Sequence, residues 1–527
     1  MSGRSAVTGT EHAAGTQQSS GTTGLPHRLA AGVTMNYVAQ AAGGVAALVI
    51  TPLLVHHLGR SAFGLWILAS TVIGYFELFE VGFGATTLKL IAEDAYVRPS
   101  RAVRTLNTSL AVLVPLGIVA LGLALVIALM SPFIFRVPQG LHNQAVVLFA
   151  LLALGLAVSI PGDTFGGALQ GFQRWDLLST ANTLLIIVTA AVSVAVVLGH
   201  GGLVLLAATT TAASIAFHGV RWAMLRRIFP EARLRPGLVD RSRLGLMARM
   251  SGWFVVNDVA NTITSTSDLV VVGVIFGVRT AAVYAIGFKL AQVATNARGA
   301  FTGMLFPHAS ATARNEGPEA LRAIAADGTR IGLLASLAPA LILVMLASPG
   351  IRAWVGPGYE QSARVLMVLV AAFAVSSLVA PMASVLYGAG RIRTMSLIAC
   401  ANAMSNLGLS ILLAHVIGPV GVAVGTLGGA LLIWLPGVLI MGRRVLGVTP
   451  LQLARTSVTP HILPAGAAAA VLFALRTVIA GSIAGLVLTA GAAVAVYGAG
   501  YLLVGATRSE RRRARELALR ILPGRQR

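Results

Sequence analysis

Residues 106–130 read LNTSLAVLVPLGIVALGLALVIALM, and this stretch decides the class of fold. It contains no charged side chain, and about 20 apolar residues suffice to cross a bilayer as an α-helix. The whole chain of 527 residues is 56% hydrophobic and 11% charged, whereas a soluble protein is about 25% charged. The sequence therefore predicts an all-α polytopic membrane protein.

The same pattern recurs along the chain and predicts fourteen transmembrane helices. The predicted spans are 35–56, 62–85, 106–130, 143–161, 177–199, 202–223, 250–275, 281–305, 330–349, 363–388, 394–415, 419–441, 459–478 and 483–505. Residues 1–33 are rich in Gly, Ser and Thr and are expected to form a disordered tail. The first span is long enough to be a retained helix, and no cleaved signal peptide is expected.

The formal net charge of +22 is interpreted as a topology signal. With both termini cytoplasmic, thirty of the 39 basic residues fall in the tails and in the loops on the cytoplasmic side of the membrane, and six fall in the loops on the opposite side. The other three, Lys89, Lys289 and Arg298, lie within spans or at their ends. This distribution explains the charge without nucleic-acid binding and predicts a multi-pass protein of the cytoplasmic membrane.

Two parts of the chain resemble each other at a nearly constant offset. The pattern Leu-x-Gly-x-x-Arg-x4-Ser occurs at 169–179 and again at 386–396, and Arg60-Ser61-Ala62 corresponds to Arg279-Thr280-Ala281. The offset equals six spans, so the copies have the same orientation, as in transporters that bind substrate between two lobes. The predicted organisation is the 1–33 tail, an N-lobe (34–225), a cytoplasmic linker (226–249), a C-lobe (250–442), two further helices (443–505) and a basic cytoplasmic tail (506–527).

Several motifs then resemble one family. They are Leu58-Gly59-Arg60 with Phe63-Gly64-Leu65, Glu80-x-Gly82-x-Gly84-x-Thr86-x-x-Lys89, Leu169-Gln170-Gly171-Phe172-Gln173-Arg174-Trp175-Asp176, and Asp268 with Gly277 and Tyr284. Over roughly residues 30–505 the chain resembles polysaccharide exporters of the Wzx type, in the MOP superfamily that also holds MATE antiporters and MurJ-type lipid II flippases. The resemblance implies a flippase that moves a polyprenyl-diphosphate-linked oligosaccharide by alternating access.

Two other functions remain open at this point. A cation-coupled multidrug antiporter of the MATE type would have an acidic cleft, whereas an exporter of glycan diphosphates would offer accessible cations. An integral-membrane glycosyltransferase or polymerase would need a large outer loop with catalytic carboxylates, and the predicted outer loops are short. Non-enzymatic transport is therefore expected.

The seventh span carries an unusual number of polar residues for a membrane helix. Asp258, Asn261 and Ser265 lie at i, i+3 and i+7, so they share one face, which we expect to line the cleft. From a rise of about 1.5 Å per residue, Asp268 and Lys289 have similar depths, as do Asp258 and Arg298. These pairs are predicted either to be structural ion pairs or to supply Lys289 and Arg298 for a diphosphate.

Further polar residues are candidates for substrate binding or ion coupling. Glu77 and Glu80 lie three apart on one face and, with Asp268, could bind a coupling H⁺ or Na⁺. Asn36 and Gln40 lie one turn apart in the first span and are either ligands or interhelical hydrogen-bonding residues.

No cofactor is expected. The chain has no Walker A pattern and no cluster with metal-ligand spacing, and its one cysteine, Cys400, excludes a disulfide framework. The expected partners are a lipid-linked glycan and anionic lipids, which the basic linker and tail would bind. No nucleic-acid partner is expected, and the predicted oligomeric state is a monomer.

Overall fold

The structure is a computed structural model, and it describes the backbone of residues 24–80, 83–94, 98–476, 482–508, 510–512 and 516. Within this part of the chain the regular elements are helical throughout. The α-helices are α1 (Gly24–Gly74), α2 (Phe83–Asp94), α3 (Pro99–Ile134), α4 (His142–Gly171), α5 (Trp175–Leu198), α6 (Gly202–Ile228), α7 (Arg241–Phe276), α8 (Val278–Asn315), α9 (Pro318–Met345), α10 (Ala347–Val355), α11 (Glu360–Gly388), α12 (Ile392–Ile417), α13 (Pro419–Gly429), α14 (Leu435–Leu446), α15 (Pro450–Leu453), α16 (Thr459–Leu475) and α17 (Ile483–Gly500). Short 3₁₀ or π turns join several of them, among them Tyr75–Phe79 and Ala430–Trp434.

Twelve helical segments in the described part of the chain are long and apolar enough to cross a membrane. One of them, Ala42–Leu78, contains a break at Gly59 and overlaps both of the first two predicted spans. The 38-residue helix α8 lies at the eighth predicted span and is not among the twelve. Large apolar side chains on the outside of the bundle are exposed; Leu503, for example, is 75% exposed. The membrane class is thus confirmed, while the count of fourteen crossings stays a prediction.

The internal repeat is visible in the helix packing. In the N-terminal half α1 packs on α5, α4 packs on α6, and α3 packs on α4. In the C-terminal half α7 packs on α12, α11 packs on α13, and α9 packs on α11. The α1–α5 contact thus corresponds to α7–α12, the α4–α6 contact to α11–α13, and the α3–α4 contact to α9–α11.

The backbone of the two halves also matches at the helix ends. Gly59 and Gly277 both have positive φ, 76° and 84°; Gly59 is the break within α1, and Gly277 follows the end of α7. Gln173 (φ 57°) and Gly390 (φ 77°) take equivalent left-handed positions, 217 residues apart, in the two copies of the Leu-x-Gly-x-x-Arg motif. A non-glycine residue such as Gln173 rarely adopts this conformation. The same backbone conformation at the equivalent position of both motifs therefore supports an internal structural repeat.

The halves meet at the end of the bundle that carries Gly59 and Gly277, which is the predicted outer side. Gly64 lies so close to the backbone of Val278 that a Cβ atom there would overlap the Val278 carbonyl oxygen. The Trp354 indole donates to the Leu48 carbonyl at 2.7 Å at the same end. Because glycine allows this approach of two backbones, α1 and α8 close the bundle here.

Two predicted domain boundaries differ from the helix ends. Helix α1 begins at Gly24, within the region expected to be a disordered tail. Helix α7 begins at Arg241, so only residues 229–240 connect the lobes outside α-helices, compared with the predicted 226–249. Both helices extend beyond their apolar segments because backbone hydrogen bonding continues past the hydrocarbon-spanning residues.

Helices α16 and α17 pack against α9 at a polar contact centred on Arg330. The Arg330 guanidinium donates to the hydroxyl of Tyr501 at 2.8 Å and to the Gly505 carbonyl, and lies 3.3 Å from the carboxylate of Glu510. Burial alone would raise the pKa of Glu510, but hydrogen bonds from Thr507 and the Arg330 charge hold it below its ordinary value of 4.5. The start of the basic tail is therefore attached to the bundle.

Candidate functional site

A central cavity of about 700 Å³ lies between the two lobes. It is lined by residues from the end of α1 and the adjoining 3₁₀ turn on one side and from α7 and α8 on the other. The lining residues are Ile67, Ser70, Thr71, Gly74, Glu77, Leu78, Glu80, Asp258, Asn261, Thr262, Ser265, Thr266, Leu269, Ala285, Phe288, Lys289 and Gln292. Five of the residues selected from the sequence as site candidates thus reach one cavity.

The polar face of α7 forms one wall of this cavity. Asp258, Asn261 and Ser265 all line it, as the i, i+3, i+7 spacing predicts. The neighbouring Asn257 accepts a hydrogen bond of 2.6 Å from the Tyr387 hydroxyl, which ties α7 to α11. This contact holds α7 so that its polar face lies toward the cavity and away from lipid.

Lys289 supplies a cation to the C-lobe side of the cavity. It lines the cavity from α8, and it forms no ion pair with any residue that the structure describes. The predicted pair with Asp268 is not formed. Asp268 instead accepts hydrogen bonds from Tyr284 at 2.7 Å and Thr426 at 2.8 Å.

The depth argument for that pair was wrong because depth leaves rotation about the helix axis undetermined. Tyr284 and Lys289 lie five residues apart on α8, which places them about 140° apart around the helix. Asp268 contacts the Tyr284 side of α8 and the adjoining helix α13, and it does not line the central cavity. Lys289 lies on the other side.

Next to Glu77 and Glu80, the central cavity adjoins a second cavity inside the N-lobe. A smaller cavity of about 200 Å³ is lined by Glu77, Glu80, Asp163, His218 and Arg221, among others. Glu77 and Glu80 line both cavities. One carboxylate oxygen of Glu80 is buried without a hydrogen-bond donor in the described part of the chain. The predicted acidic pair therefore belongs to a cluster of three carboxylates.

Arg221 of α6 holds this cluster together. Its guanidinium donates to the carboxylate of Asp163 in α4 and, at 3.0 Å, to the amide oxygen of Asn182 in α5. The side chain of Arg221 is 12% exposed. Next to it, a ring nitrogen of His218 lies 3.0 Å from the Ser159 hydroxyl. These contacts join α4, α5 and α6 around the acidic groups.

Asp163, His218 and Arg221 were not selected from the sequence. Asp163 lies two residues beyond the predicted end of the fourth span at 161, whereas α4 continues to Gly171. Arg221 lies inside the predicted sixth span, 202–223, but close to its cytoplasmic end, where it is grouped with the loop cations; in the structure α6 continues to Ile228. Ionisable residues inside membrane helices are functional candidates by default. Extending the fourth span by one turn would have added Asp163 to the candidates, and assigning Arg221 to its span would have added Arg221.

Asp268 occupies a second polar cluster, inside the C-lobe. One oxygen of its carboxylate accepts both hydrogen bonds, and the other is buried without a partner in the described part of the chain. Asn402 and Asn406 of α12 pack on Gly429, one turn along α13 from Thr426, and both have amide atoms buried without partners in the same part of the chain. A buried carboxylate oxygen without a donor needs a proton or a cation.

Three other candidates cannot be assigned to a site. Asn36 and Gln40 lie on α1 and Arg298 lies on α8, but their side chains are outside the described part of the structure. The predicted pairing of Asp258 with Arg298 therefore stays a prediction.

The fold and the cavity define a multi-pass membrane protein of the transporter type, with two repeated halves around a central polar cavity. The chain belongs to the polysaccharide biosynthesis protein family, whose pattern matches residues 29–312. No curated protein sequence matches the chain.

Solved structures of the MOP superfamily share the fold. A lipid II flippase MurJ in an inward closed conformation has a TM-score of 0.69 at 12% identity and covers 88% of this chain and 98% of its own. An inward-facing multidrug resistance MATE family transporter has a TM-score of 0.67 at 15% identity, covering 81% of this chain and 99% of its own. An outward-facing MATE transporter has a TM-score of 0.58 at 15% identity, with coverages of 81% and 97%. These likenesses establish the fold.

Proposed function

We propose that the protein moves a polyprenyl-diphosphate-linked oligosaccharide, a precursor of a cell-surface polysaccharide, across the cytoplasmic membrane by alternating access. Membership of the polysaccharide biosynthesis protein family supports this proposal. Rocking of one repeat against the other would expose the central cavity to each side in turn. The protein would act as a monomer, with both termini in the cytoplasm.

The observation that carries the proposal is Lys289, a cation in the cavity between the lobes that has no carboxylate partner in the described part of the chain. Lysine binds phosphate as a point charge. A diphosphate in the cavity would therefore lie against Lys289, while Asn261 and Ser265 on α7 would donate hydrogen bonds to diphosphate or sugar oxygens. The lipid tail would stay in the bilayer.

Ion coupling would use the two carboxylate clusters. In the N-lobe, Glu77, Glu80 and Asp163 share one small cavity with a single guanidinium, so a proton would relieve their mutual repulsion. In the C-lobe, the unpartnered oxygen of Asp268 would take a proton or Na⁺. Loading either cluster would change which arrangement of the helices is favoured, as a coupled transporter requires.

The second candidate is a cation-coupled multidrug antiporter. One observation favours it: the described lining of the central cavity contains three carboxylates, Glu77, Glu80 and Asp258, against one cation, Lys289. An amphipathic cation would be attracted to such a lining. The two functions differ in the effect of removing the lysine, because neutralising Lys289 would weaken diphosphate binding and strengthen cation binding.

The deciding experiment is depletion of the protein in its host, followed by mass spectrometry of polyprenyl-linked glycans. Accumulation of a completed lipid-linked oligosaccharide supports the flippase and identifies its substrate. A truncated glycan would indicate a glycosyltransferase or polymerase instead. Unchanged lipids together with new sensitivity to cationic drugs would refute the flippase and support the antiporter. Complementation with Lys289→Gln then tests the role of the cavity cation in whichever phenotype appears.

A further inference from the structure

A second large cavity, of about 700 Å³, lies on the flank of the N-lobe between α3, α4 and α6. We call it the flank groove. Its apolar walls include Leu110, Val114, Val158, Phe165 and Ile215. It lies away from α7 and α8, the helices that provide the C-lobe side of the central cavity. Its size falls within the range of ligand pockets, which is about 300–1,000 Å³.

The depth of the flank groove matches one leaflet. Along α3 it extends from Asn107 to Pro115, which is about 12 Å at 1.5 Å per residue. The hydrocarbon core of a bilayer is about 30 Å thick, so one leaflet contributes about 15 Å. The groove begins near the Pro99 end of α3 and near the Ile228 end of α6, both on the predicted cytoplasmic side.

The inter-lobe connection borders the cytoplasmic end of the groove. Asn107 donates from its side-chain amide to the Arg233 carbonyl and accepts from the Arg235 backbone N–H, at 2.8 and 2.7 Å. The Asp240 N–H donates to the Thr108 hydroxyl at 2.9 Å. These bonds attach the connection to α3, so that Leu234 and Arg235 become part of the groove wall.

The mouth of the groove is basic. The exposed side chain of Arg235 lines it, and Arg104, also exposed, lies one turn before Asn107 on the same face of α3. Arg226 lies with its guanidinium carbon 5.7 Å from the ring centre of Trp222, a groove-lining residue. The carboxylate of Asp240, in the same connection, is engaged by Ser242 at the start of α7.

An apolar slot one leaflet deep with arginines at its cytoplasmic mouth has the chemistry of an anionic phospholipid. Basic pockets between membrane helices on the cytoplasmic side bind anionic headgroups, and tryptophan is enriched at the same interface. We infer that the flank groove binds one anionic phospholipid of the cytoplasmic leaflet, with its headgroup at Arg235 and Arg104 and an acyl chain along Leu110, Val114 and Phe165. Such a lipid would contact the connection between the lobes directly.

The test uses the full chain in phosphatidylcholine nanodiscs that contain a photoreactive phosphatidylglycerol with a diazirine on one acyl chain. After illumination, mass spectrometry maps the labelled peptides. We expect labelling concentrated on peptides 107–115 and 215–222. A diazirine phosphatidylcholine at the same concentration should label these peptides about thirtyfold less, since each of the two arginines near an anionic lipid contributes about 1 kcal/mol.

Two variants separate the groove from ordinary surrounding lipid. A side chain at Gly219 would enter open space inside the groove, so Gly219→Leu should abolish the concentrated labelling. Gly122, also exposed and with open space beside it, lies on α3 outside the groove, and Gly122→Leu should leave it unchanged. Arg235→Gln should lower phosphatidylglycerol labelling about fivefold, whereas Arg444→Gln, at the end of α14, should not.

Three results would overturn the inference. Equal labelling of all lipid-facing helices would indicate ordinary surrounding lipid only. Equal labelling by phosphatidylcholine and phosphatidylglycerol would remove the role of the arginines. Displacement of the label by a polyprenyl phosphate at lower concentration than by phosphatidylglycerol would assign the groove to the transported lipid. Should Gly219→Leu fail to fold, Arg235→Gln, which changes an exposed side chain, still decides between the outcomes.

Discussion

The hydrogen bond between Tyr284 and Asp268 provides a quantitative test of the C-lobe cluster. Both side chains are buried, with exposed fractions of 1% and 2%, and the bond length is 2.7 Å. A hydrogen bond to a charged group contributes about 1.5–3 kcal/mol, and one between neutral groups about 1 kcal/mol. Tyr284→Phe should therefore lower the free energy of unfolding by about 2 kcal/mol in the native chain and by about 1 kcal/mol in an Asp268→Asn background.

The predicted coupling energy between these two positions is thus about 1 kcal/mol, and a double-mutant cycle measures it. The side chain of Asp268→Asn keeps an oxygen that can accept from Tyr284 and Thr426, so this variant should fold. Asp268→Leu should cost about 1–3 kcal/mol more, because it leaves the Tyr284 hydroxyl buried without an acceptor.

The assay follows unfolding of the full chain in detergent micelles through the reactivity of Cys400. It is the one cysteine in the chain, and its sulfur lies 4.0 Å from the Val256 carbonyl at the contact of α12 with α7. Tyr497→Phe serves as the control, since this buried tyrosine of α17 hydrogen-bonds to His461 and should be additive with Asp268→Asn. An equal cost of Tyr284→Phe in both backgrounds would refute a charge-assisted bond at Asp268.

Three further perturbations have defined outcomes. Lys289→Gln should reduce complementation of lipid-linked glycan export at least tenfold, since it removes the cavity cation. Lys89→Gln, which changes the chain's other lysine (56% exposed), should have no effect. Equal effects of the two variants would contradict a specific role of Lys289. Gly64→Val should force the lobes apart at the predicted outer end. A cysteine introduced at Ser70, in the cavity lining, should then react with an impermeant maleimide. Gly74→Ala, whose added methyl group would enter open space, should not have this effect. Because the pKa of Glu510 is lowered in the fold, its contribution to stability is present above pH 4.5 and is lost as pH falls through the folded value. Amide hydrogen exchange at the start of the tail, corrected for the intrinsic pH dependence of exchange, should therefore be faster below the folded pKa of Glu510 than above pH 4.5. Glu510→Gln should remove this dependence, and an unchanged profile in the native chain would refute the attachment.

Much of the fold could be predicted from local sequence. Apolar segments one bilayer long partition into lipid whatever surrounds them, so the all-helical membrane class follows from composition and segment length. The repeat was visible in the two Leu-x-Gly-x-x-Arg motifs, and the structure shows the same left-handed position at Gln173 and Gly390. The α7 wall of the cavity was predictable because helical periodicity alone places Asp258, Asn261 and Ser265 on one face.

The pairing of the charged groups was decided by tertiary structure. Asp163 and Arg221 are 58 residues apart, and Asp268 and Thr426 are 158 residues apart. The 1.5 Å rise per residue gives the depth of each group, but the rotation of a helix about its axis and the choice of its neighbours depend on packing across the whole bundle. For this reason depth paired Asp268 with Lys289, whereas packing placed Asp268 beside Tyr284 and Thr426 and left Lys289 in the cavity.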